Sequence, residues 1–238
     1  PDPELLTLSR EDGTEVPVLA YGAKGNPGAV YIQEWWGVTN DAKAQAFALA
    51  NEGFRVFIPD LYRGKLALDA VEAKHEMDNL DFPGAVADVK TCAVALRAEG
   101  SAGVGVAGTC MGGALALASG CNCPDVISCV NAFYGIPPGM LADLTTMKVP
   151  SISHFGEHDN HAGFSDPAAA DALEEALTKS GSTFTVYRYK DVGHAFMNSL
   201  PEGVERKKAL GMGEHHPEAV TTAWNRMVEF FKKHTASA

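Results

Sequence analysis

Short apolar runs alternate with longer segments of helical periodicity along the whole chain. The apolar runs have the length of strands and end at glycine, proline or acidic residues, which favours buried strands. The segments between them begin at capping residues and stop at glycine, as helices do. The pattern predicts an edge strand at 14–21 and further strands at 28–33, 54–59, 104–108, 126–135, 150–159 and 183–189.

Helices are predicted between most of these strands. Thr39 or Asn40 caps the first, and proline opens several of the others. The predicted helical segments are 41–53, 69–79, 83–98, 111–119, 167–181 and 217–234. Such alternation predicts an α/β fold with a mostly parallel sheet and helices on both faces. With neither a linker nor a repeat in the sequence, residues 1–238 are predicted to form a single domain.

Ligands of open parallel sheets bind beyond the carboxyl ends of the strands, so chemistry is expected directly after each apolar run. The residues at these positions are Glu34, Asp60, Cys110, Asp159 and His194. "PDLY" around Asp60 is most simply a turn after proline. The other four are candidates for catalysis.

Cys110 lies at the centre of the pentapeptide Gly108-Thr-Cys-Met-Gly112, between a predicted strand and a predicted helix. This matches the nucleophile elbow of hydrolases, with cysteine in place of serine. The glycines let strand and helix approach closely, and the helix N-terminus favours a thiolate. The alternative is a small, buried cysteine in a tightly packed turn.

The order of the other candidates favours the elbow. Asp159 follows the next strand but one after Cys110, and His194 follows the strand after that. Nucleophile, acid and histidine therefore occur in the order that this kind of fold requires. A thiol needs a base, and the base needs an acid that fixes its tautomer. The sequence thus predicts a Cys110–His194–Asp159 triad.

Glu34 ends the strand at 28–33 and precedes two tryptophans. A carboxylate there is expected near the sulfur as a second acid–base group, with a pKa sensitive to burial. The backbone N–H groups of Met111 and Trp35 are the predicted donors of an oxyanion hole.

Other residues are candidates for substrate binding. Arg63 and Lys65 could bind an anion, although both could equally be solvated surface charges. Aromatic side chains after strands could line an apolar pocket or belong to the core; these are Trp36, Tyr134 and Phe164. His154, His158 and His161 crowd one segment, but no acidic cluster completes a metal site, so neither metal nor cofactor is expected.

Composition narrows the function classes. A net charge of -11 without a basic cluster argues against nucleic acid as a partner, and no apolar run is long enough to span a bilayer. Five cysteines are an odd number for a disulfide framework, which favours a reducing compartment. The N-terminus lacks the pattern of a secretory signal, so we expect a cytoplasmic location, or an organelle after loss of a transit peptide. We expect a monomer or small homo-oligomer that acts on a small molecule.

Five motifs together resemble the dienelactone hydrolases, or carboxymethylenebutenolidases, of the α/β-hydrolase fold. They are "IQEWWGV", "PDLYRGK", "GTCMGG", "GEHD" and "GHAF", and they cover nearly the whole chain in the family's order. The resemblance implies the same triad. It also implies that Glu34 contacts the cysteine until substrate frees it to accept the thiol proton, after which the thiolate attacks a lactone carbonyl.

One position departs from the family. Its bacterial members place a substrate-binding arginine four residues after the histidine, where this chain has Asn198. Arg63, Lys65 or Arg206 could substitute, but an amide does not replace a bidentate arginine.

The sequence therefore predicts a cysteine-dependent hydrolase of small lactones or esters. Two alternatives are a general carboxylesterase or thioesterase, and a redox-responsive protein in which Cys110 is a sensor thiol.

Overall fold

Eight strands form one sheet in the computed structural model, which describes residues 2–236. The strand order is β1-β2-β4-β3-β5-β6-β7-β8. β1 and β2 run antiparallel to their neighbours, and the six other strands are parallel. In chain order, strands β1 to β8 span Glu4–Ser9, Glu15–Tyr21, Gly28–Ile32, Arg55–Pro59, Val104–Thr109, Cys129–Phe133, Ser151–Gly156 and Phe184–Tyr189.

Helices cover both faces of this sheet, as the alternating pattern predicts. α1, α2 and α3 span Asn40–Asn51, Ala70–Asp78 and Phe82–Ala98, and α4 to α7 span Met111–Asn122, Pro167–Ser180, Pro201–Ala209 and Pro217–Thr235. Apolar side chains of α3, α4 and α5 belong to one core cluster, and those of α1 and α7 belong to another. The mostly parallel α/β architecture is confirmed.

Local sequence accounts for the helix starts. The side chains of Thr39, Asp69, Asp81 and Asp166 accept hydrogen bonds from backbone N–H groups in the first turns of α1, α2, α3 and α5. These donors have no partner within the helix, so a capping side chain stabilises each start. None of the helices described within residues 2–236 combines the length and hydropathy that a membrane crossing requires.

Two elements differ from the prediction. β1 was not expected, and it takes the sheet edge that the sequence pattern assigned to residues 14–21, so β2 lies between β1 and β4. The 200–216 region contains α6, which was also not expected. Only Gly203 and Lys207 are buried in α6, so the helix lacks the apolar stripe on which helix prediction depends.

The parallel topology brings the carboxyl ends of β3, β5, β6, β7 and β8 to one edge of the sheet. The segment 190–216, between β8 and α7, contains α6 and returns across this edge.

Candidate active site

Cys110 lies in a sharp turn between β5 and α4. Its φ of 55° is in the left-handed region, which a side-chain-bearing residue rarely adopts. Its backbone N–H donates to Phe133 O of the neighbouring strand at 3.0 Å, and its carbonyl accepts from Gly113 in the first turn of α4. The strained backbone that the elbow pattern implies is therefore present at Cys110.

A chain of contacts leads from the sulfur to a carboxylate. His194 Nε2 lies 3.3 Å from Cys110 Sγ, and His194 Nδ1 lies 2.6 Å from Asp159 Oδ2. Ser165 Oγ also lies 3.0 Å from Nδ1. His194 and Asp159 are both buried. The order thiol, imidazole, carboxylate matches the geometry of a nucleophile, a base and an orienting acid.

Environment sets the protonation of these groups. Burial raises the pKa of the Cys110 thiol, the Glu34 charge raises it further, and only the Met111 N–H among the leading contributions lowers it. The N–H at the start of α4 lowers the thiol pKa, as expected from the sequence, but burial and the Glu34 charge act in the opposite direction. Burial also lowers the pKa of His194, and the Asp159 hydrogen bond offsets part of this effect. Both pKa shifts favour the neutral forms of the thiol and the imidazole.

Glu34 is buried beside the same turn. Its Oε2 accepts a hydrogen bond from Asn198 Nδ2 at 3.1 Å, and its Oε1 has no partner within residues 2–236. Burial raises the pKa of Glu34 to about 7, against the lowering effect of the Asn198 hydrogen bond. A carboxyl with this pKa can exchange a proton near neutral pH.

Asp159 also contacts a second histidine. His161 Nδ1 lies 2.9 Å from Asp159 Oδ1, and its ring centroid lies 4.2 Å from that of His194. Burial acts to raise the pKa of Asp159, but hydrogen bonds from His161 and His194 hold it below its usual value. The donor atoms of the three residues lie within 4.8 Å of one another, a spacing that could hold a metal ion. Hydrogen bonding to Asp159 already accounts for this arrangement.

The other crowded histidines are separate. His154 is fully buried between Tyr189 Oη at 2.8 Å and Asn131 Oδ1 at 2.9 Å, and burial lowers its pKa to about 3. His158 is exposed, 3.5 Å from Asp191. Neither reaches the sulfur's surroundings.

A cavity of about 290 Å³ opens onto Cys110. Its polar lining residues are at the reactive end and on α6: Glu34, His161, His194, Asn198, Arg206 and Lys207. Trp35, Trp36, Met111 and Phe164 also line it. The backbone N–H of Met111 lowers the pKa of the Cys110 thiol through a hydrogen bond. Because Met111 is the first residue of α4, this N–H has no acceptor within the helix.

Three sequence candidates lie elsewhere. Arg63 forms a paired contact with Asp88, at 2.7 and 3.1 Å, and Lys65 lies 3.2 Å from Glu76. Neither Arg63 nor Lys65 lines the cavity, and each forms an ion pair with a carboxylate that also lies outside it. Tyr134 is fully buried, with its ring centroid 5.0 Å from that of His194, so it packs against the imidazole rather than facing the cavity.

Sequence reasoning missed several residues of the cavity. Met77 and Phe82 come from α2 and α3, Ile136 and Leu141 from the loop after β6, and Leu210 and Met212 follow α6. No local motif marks these positions. The His161 contact could have been found, since His161 lies two residues after Asp159 and a backbone turn brings them together.

Comparisons with known proteins identify the family of this chain. The family model for the dienelactone hydrolase family matches residues 16–235. "Protein usf" of Aquifex pyrophilus is 31% identical over 223 residues, covering 88% of this chain and 89% of the relative. The carboxymethylenebutenolidase of Rhodococcus opacus is 26% identical, covering 98% and 94% respectively.

Solved structures share the fold. A dienelactone hydrolase-like promiscuous phosphotriesterase from metagenomic libraries superposes with a TM-score of 0.78 at 18% identity, covering 99% of this chain and 100% of the other. At this identity the likeness concerns the fold alone. The family match extends over both the elbow and the histidine loop. The chain thus belongs to the dienelactone hydrolase family of α/β-hydrolases and is a hydrolase of ester or lactone bonds.

Proposed function

We propose that Cys110 is the nucleophile of this hydrolase and that small esters or lactones are its substrates. The observation that carries the proposal is the continuous contact from Cys110 Sγ through His194 to Asp159, with separations of 3.3 and 2.6 Å. We also propose one catalytic domain over residues 1–238, supported by the single eight-stranded sheet.

The proposed reaction begins with a neutral thiol. When substrate enters, the thiol proton passes to His194, whose cation Asp159 stabilises, or to Glu34. The sulfur then bonds to the carbonyl carbon, and the N–H groups of Met111 and Trp35 stabilise the oxyanion. Collapse of this intermediate breaks the ester C–O bond, and the leaving oxygen takes the proton. Water, deprotonated by His194, next attacks the thioester and releases the acid and the thiol.

A redox-sensor role for Cys110 is less well supported. Sensor thiols react because their pKa is low, whereas burial raises the pKa of Cys110. A sensor thiol also does not require the cavity that opens onto Cys110.

The direct test combines labelling with activity. The protein is treated with iodoacetamide over a range of pH, the modified cysteines are mapped, and hydrolysis of p-nitrophenyl acetate is followed in the same samples. We expect loss of hydrolysis in proportion to labelling of Cys110. Hydrolysis that survives full modification of Cys110 would contradict the proposed nucleophile.

Glu34→Gln is expected to lower kcat/KM by about a hundredfold, the usual contribution of one acid–base group. Because Glu34 must be ionised to accept a proton, wild-type activity should rise as the pH increases through about 7. The variant should lose this limb of the pH profile. Glu205→Gln, on the exposed side of α6, is the control. An unchanged profile in Glu34→Gln would remove Glu34 from the reaction.

The same variant should be more stable than the wild type at alkaline pH. Burial raises the pKa of Glu34 from 4.5 to about 7, so its protonated form stabilises the fold below pH 4.5, and this contribution is lost as the pH rises through 7. Since glutamine does not ionise, we expect Glu34→Gln to gain about 3 kcal/mol at pH 8. Most of this difference should disappear at pH 5. Urea unfolding at both pH values measures it.

A further inference from the structure

We propose that the substrate carries an uncharged apolar group, and that a carboxylate at its far end weakens turnover. Most of the wall of the cavity beside Cys110 is apolar, and Arg206, which lines it, pairs with Glu202. This inference rests on the proposed function, since it names the substrate class of the same site.

Apolar side chains from separate elements form the walls of the cavity. Met77 and Phe82 contribute one side, Ile136 and Leu141 the loop after β6, and Leu210 and Met212 the side next to α6. Six apolar residues from four parts of the chain thus converge on one space. Apolar walls favour apolar groups, because such groups leave water on binding and lose no hydrogen bonds.

The arginine expected four positions after His194 is absent from this sequence. Asn198 stands there, and its amide already donates to Glu34 at 3.1 Å. Both side chains are buried. An amide carries no net charge, so this position offers nothing that would offset the desolvation of a substrate carboxylate.

The Arg206 cation in the lining is held by other groups. The guanidinium of Arg206 lies 4.4 Å from the centre of the Trp36 ring, and its Nη2 lies 2.9 Å from Glu202 Oε1. Stacking on an aromatic ring and pairing with a carboxylate both fix the charge where it is. Arg206 therefore extends the wall over Trp36, and its charge is compensated before any substrate binds.

Lys207 is the remaining cation in the lining. It is 2% exposed, and its Nζ is buried without a hydrogen-bond partner within residues 2–236. Burial lowers its pKa, so the environment disfavours the charged form. Because Lys207 lines the cavity and could attract an anion, the experiment includes it.

The test measures kcat/KM for p-nitrophenyl acetate, butyrate and hexanoate, and for a matched pair of esters. The pair is p-nitrophenyl valerate and mono-p-nitrophenyl glutarate, which differ in a terminal methyl or carboxylate. Complete burial of one methylene is equivalent to about a fourfold gain. We expect hexanoate to exceed acetate at least tenfold, and valerate to exceed glutarate by a similar factor, after subtraction of spontaneous hydrolysis.

Two substitutions locate the effect. Leu141→Asp should lower the hexanoate-to-acetate ratio several-fold, since it places a carboxylate in the cavity wall. Leu68→Asp is the matched control, because Leu68 is 83% exposed outside the cavity, and its ratio should equal that of the wild type. An unchanged ratio in Leu141→Asp would overturn the proposal.

The remaining outcomes separate the proposal from the function on which it rests. Faster turnover of glutarate than of valerate would overturn the apolar substrate class, and loss of that preference in Lys207→Met would locate an anion site at Lys207. Equal rates for acetate and hexanoate would also overturn it, with hydrolysis itself intact. If none of the esters is hydrolysed, the proposed function fails as well.

Discussion

Replacement of Cys110 by alanine is expected to abolish ester hydrolysis and to leave the fold intact. Loss of a nucleophile that acts together with its base lowers kcat by about 10⁴-fold or more. Alanine also has a Cβ, so the left-handed backbone at this position is no more strained than with cysteine. Hydrolysis of p-nitrophenyl acetate and thermal unfolding, measured on the same samples, check both parts.

Cys110→Ser is the informative companion, with Cys121→Ala as the control. Serine replaces the thiol by a smaller hydroxyl, whose proton is harder to remove than that of a thiol. We expect little activity in the serine variant, because Glu34 and His194 are arranged around a thiol. Cys121 is partly buried at the end of α4 and lies outside the cavity, so its removal should leave turnover unchanged. Full activity in Cys110→Ala would exclude a cysteine mechanism.

Gly112→Ala is expected to destabilise the fold strongly. A Cβ at this position would lie 2.4 Å from Ile32 O and 2.6 Å from Gln33 O, both backbone atoms at the end of β3. Neither can rotate away, so α4 or β3 must shift. Overpacking against side chains costs about 1–3 kcal/mol, and against backbone we expect at least the upper end of this range. Urea unfolding of the variant measures the loss.

Activity should fall in the same variant, because Glu34 follows the displaced carbonyls directly. Gly139→Ala is the matched control: its Cβ would meet nothing within 4 Å, and its backbone does not need glycine. The control should unfold with the midpoint of the wild type. Wild-type stability in Gly112→Ala would show that strand and helix do not require this close approach.

The strand and helix pattern anticipates most of the fold, because buried strands and capped helices leave local marks. β5, the Cys110 turn and α4 follow directly from an apolar run, two glycines and small residues. The sequence signals for β1 and α6 are weaker. The burial pattern of β1 contains no fully buried residue, and two buried residues in α6 do not form a stripe.

Charged partners were the least predictable feature of the site. Arg63 pairs with Asp88, which also pairs with Arg10, and these residues are far apart in the chain. Only the folded chain shows that Arg63 already forms an ion pair within the protein. The hydrogen bond between Asn198 and Glu34 likewise joins residues 164 positions apart. The protonation of Cys110 could not be predicted for a related reason. Burial in the folded chain raises the thiol pKa more than the N–H at the start of α4 lowers it.

The 190–216 segment carries His194, Asn198 and the cavity wall formed by Arg206, Leu210 and Met212. A single stretch of backbone therefore links the proposed base, His194, to the partner of Glu34 and to one wall of the cavity. An insertion or exchange in this segment would alter selectivity and proton transfer together. For protein engineering, the loop after β6, with Ile136 and Leu141, is the safer place to change selectivity, since its cavity residues contact neither His194 nor Glu34 through a hydrogen bond within residues 2–236.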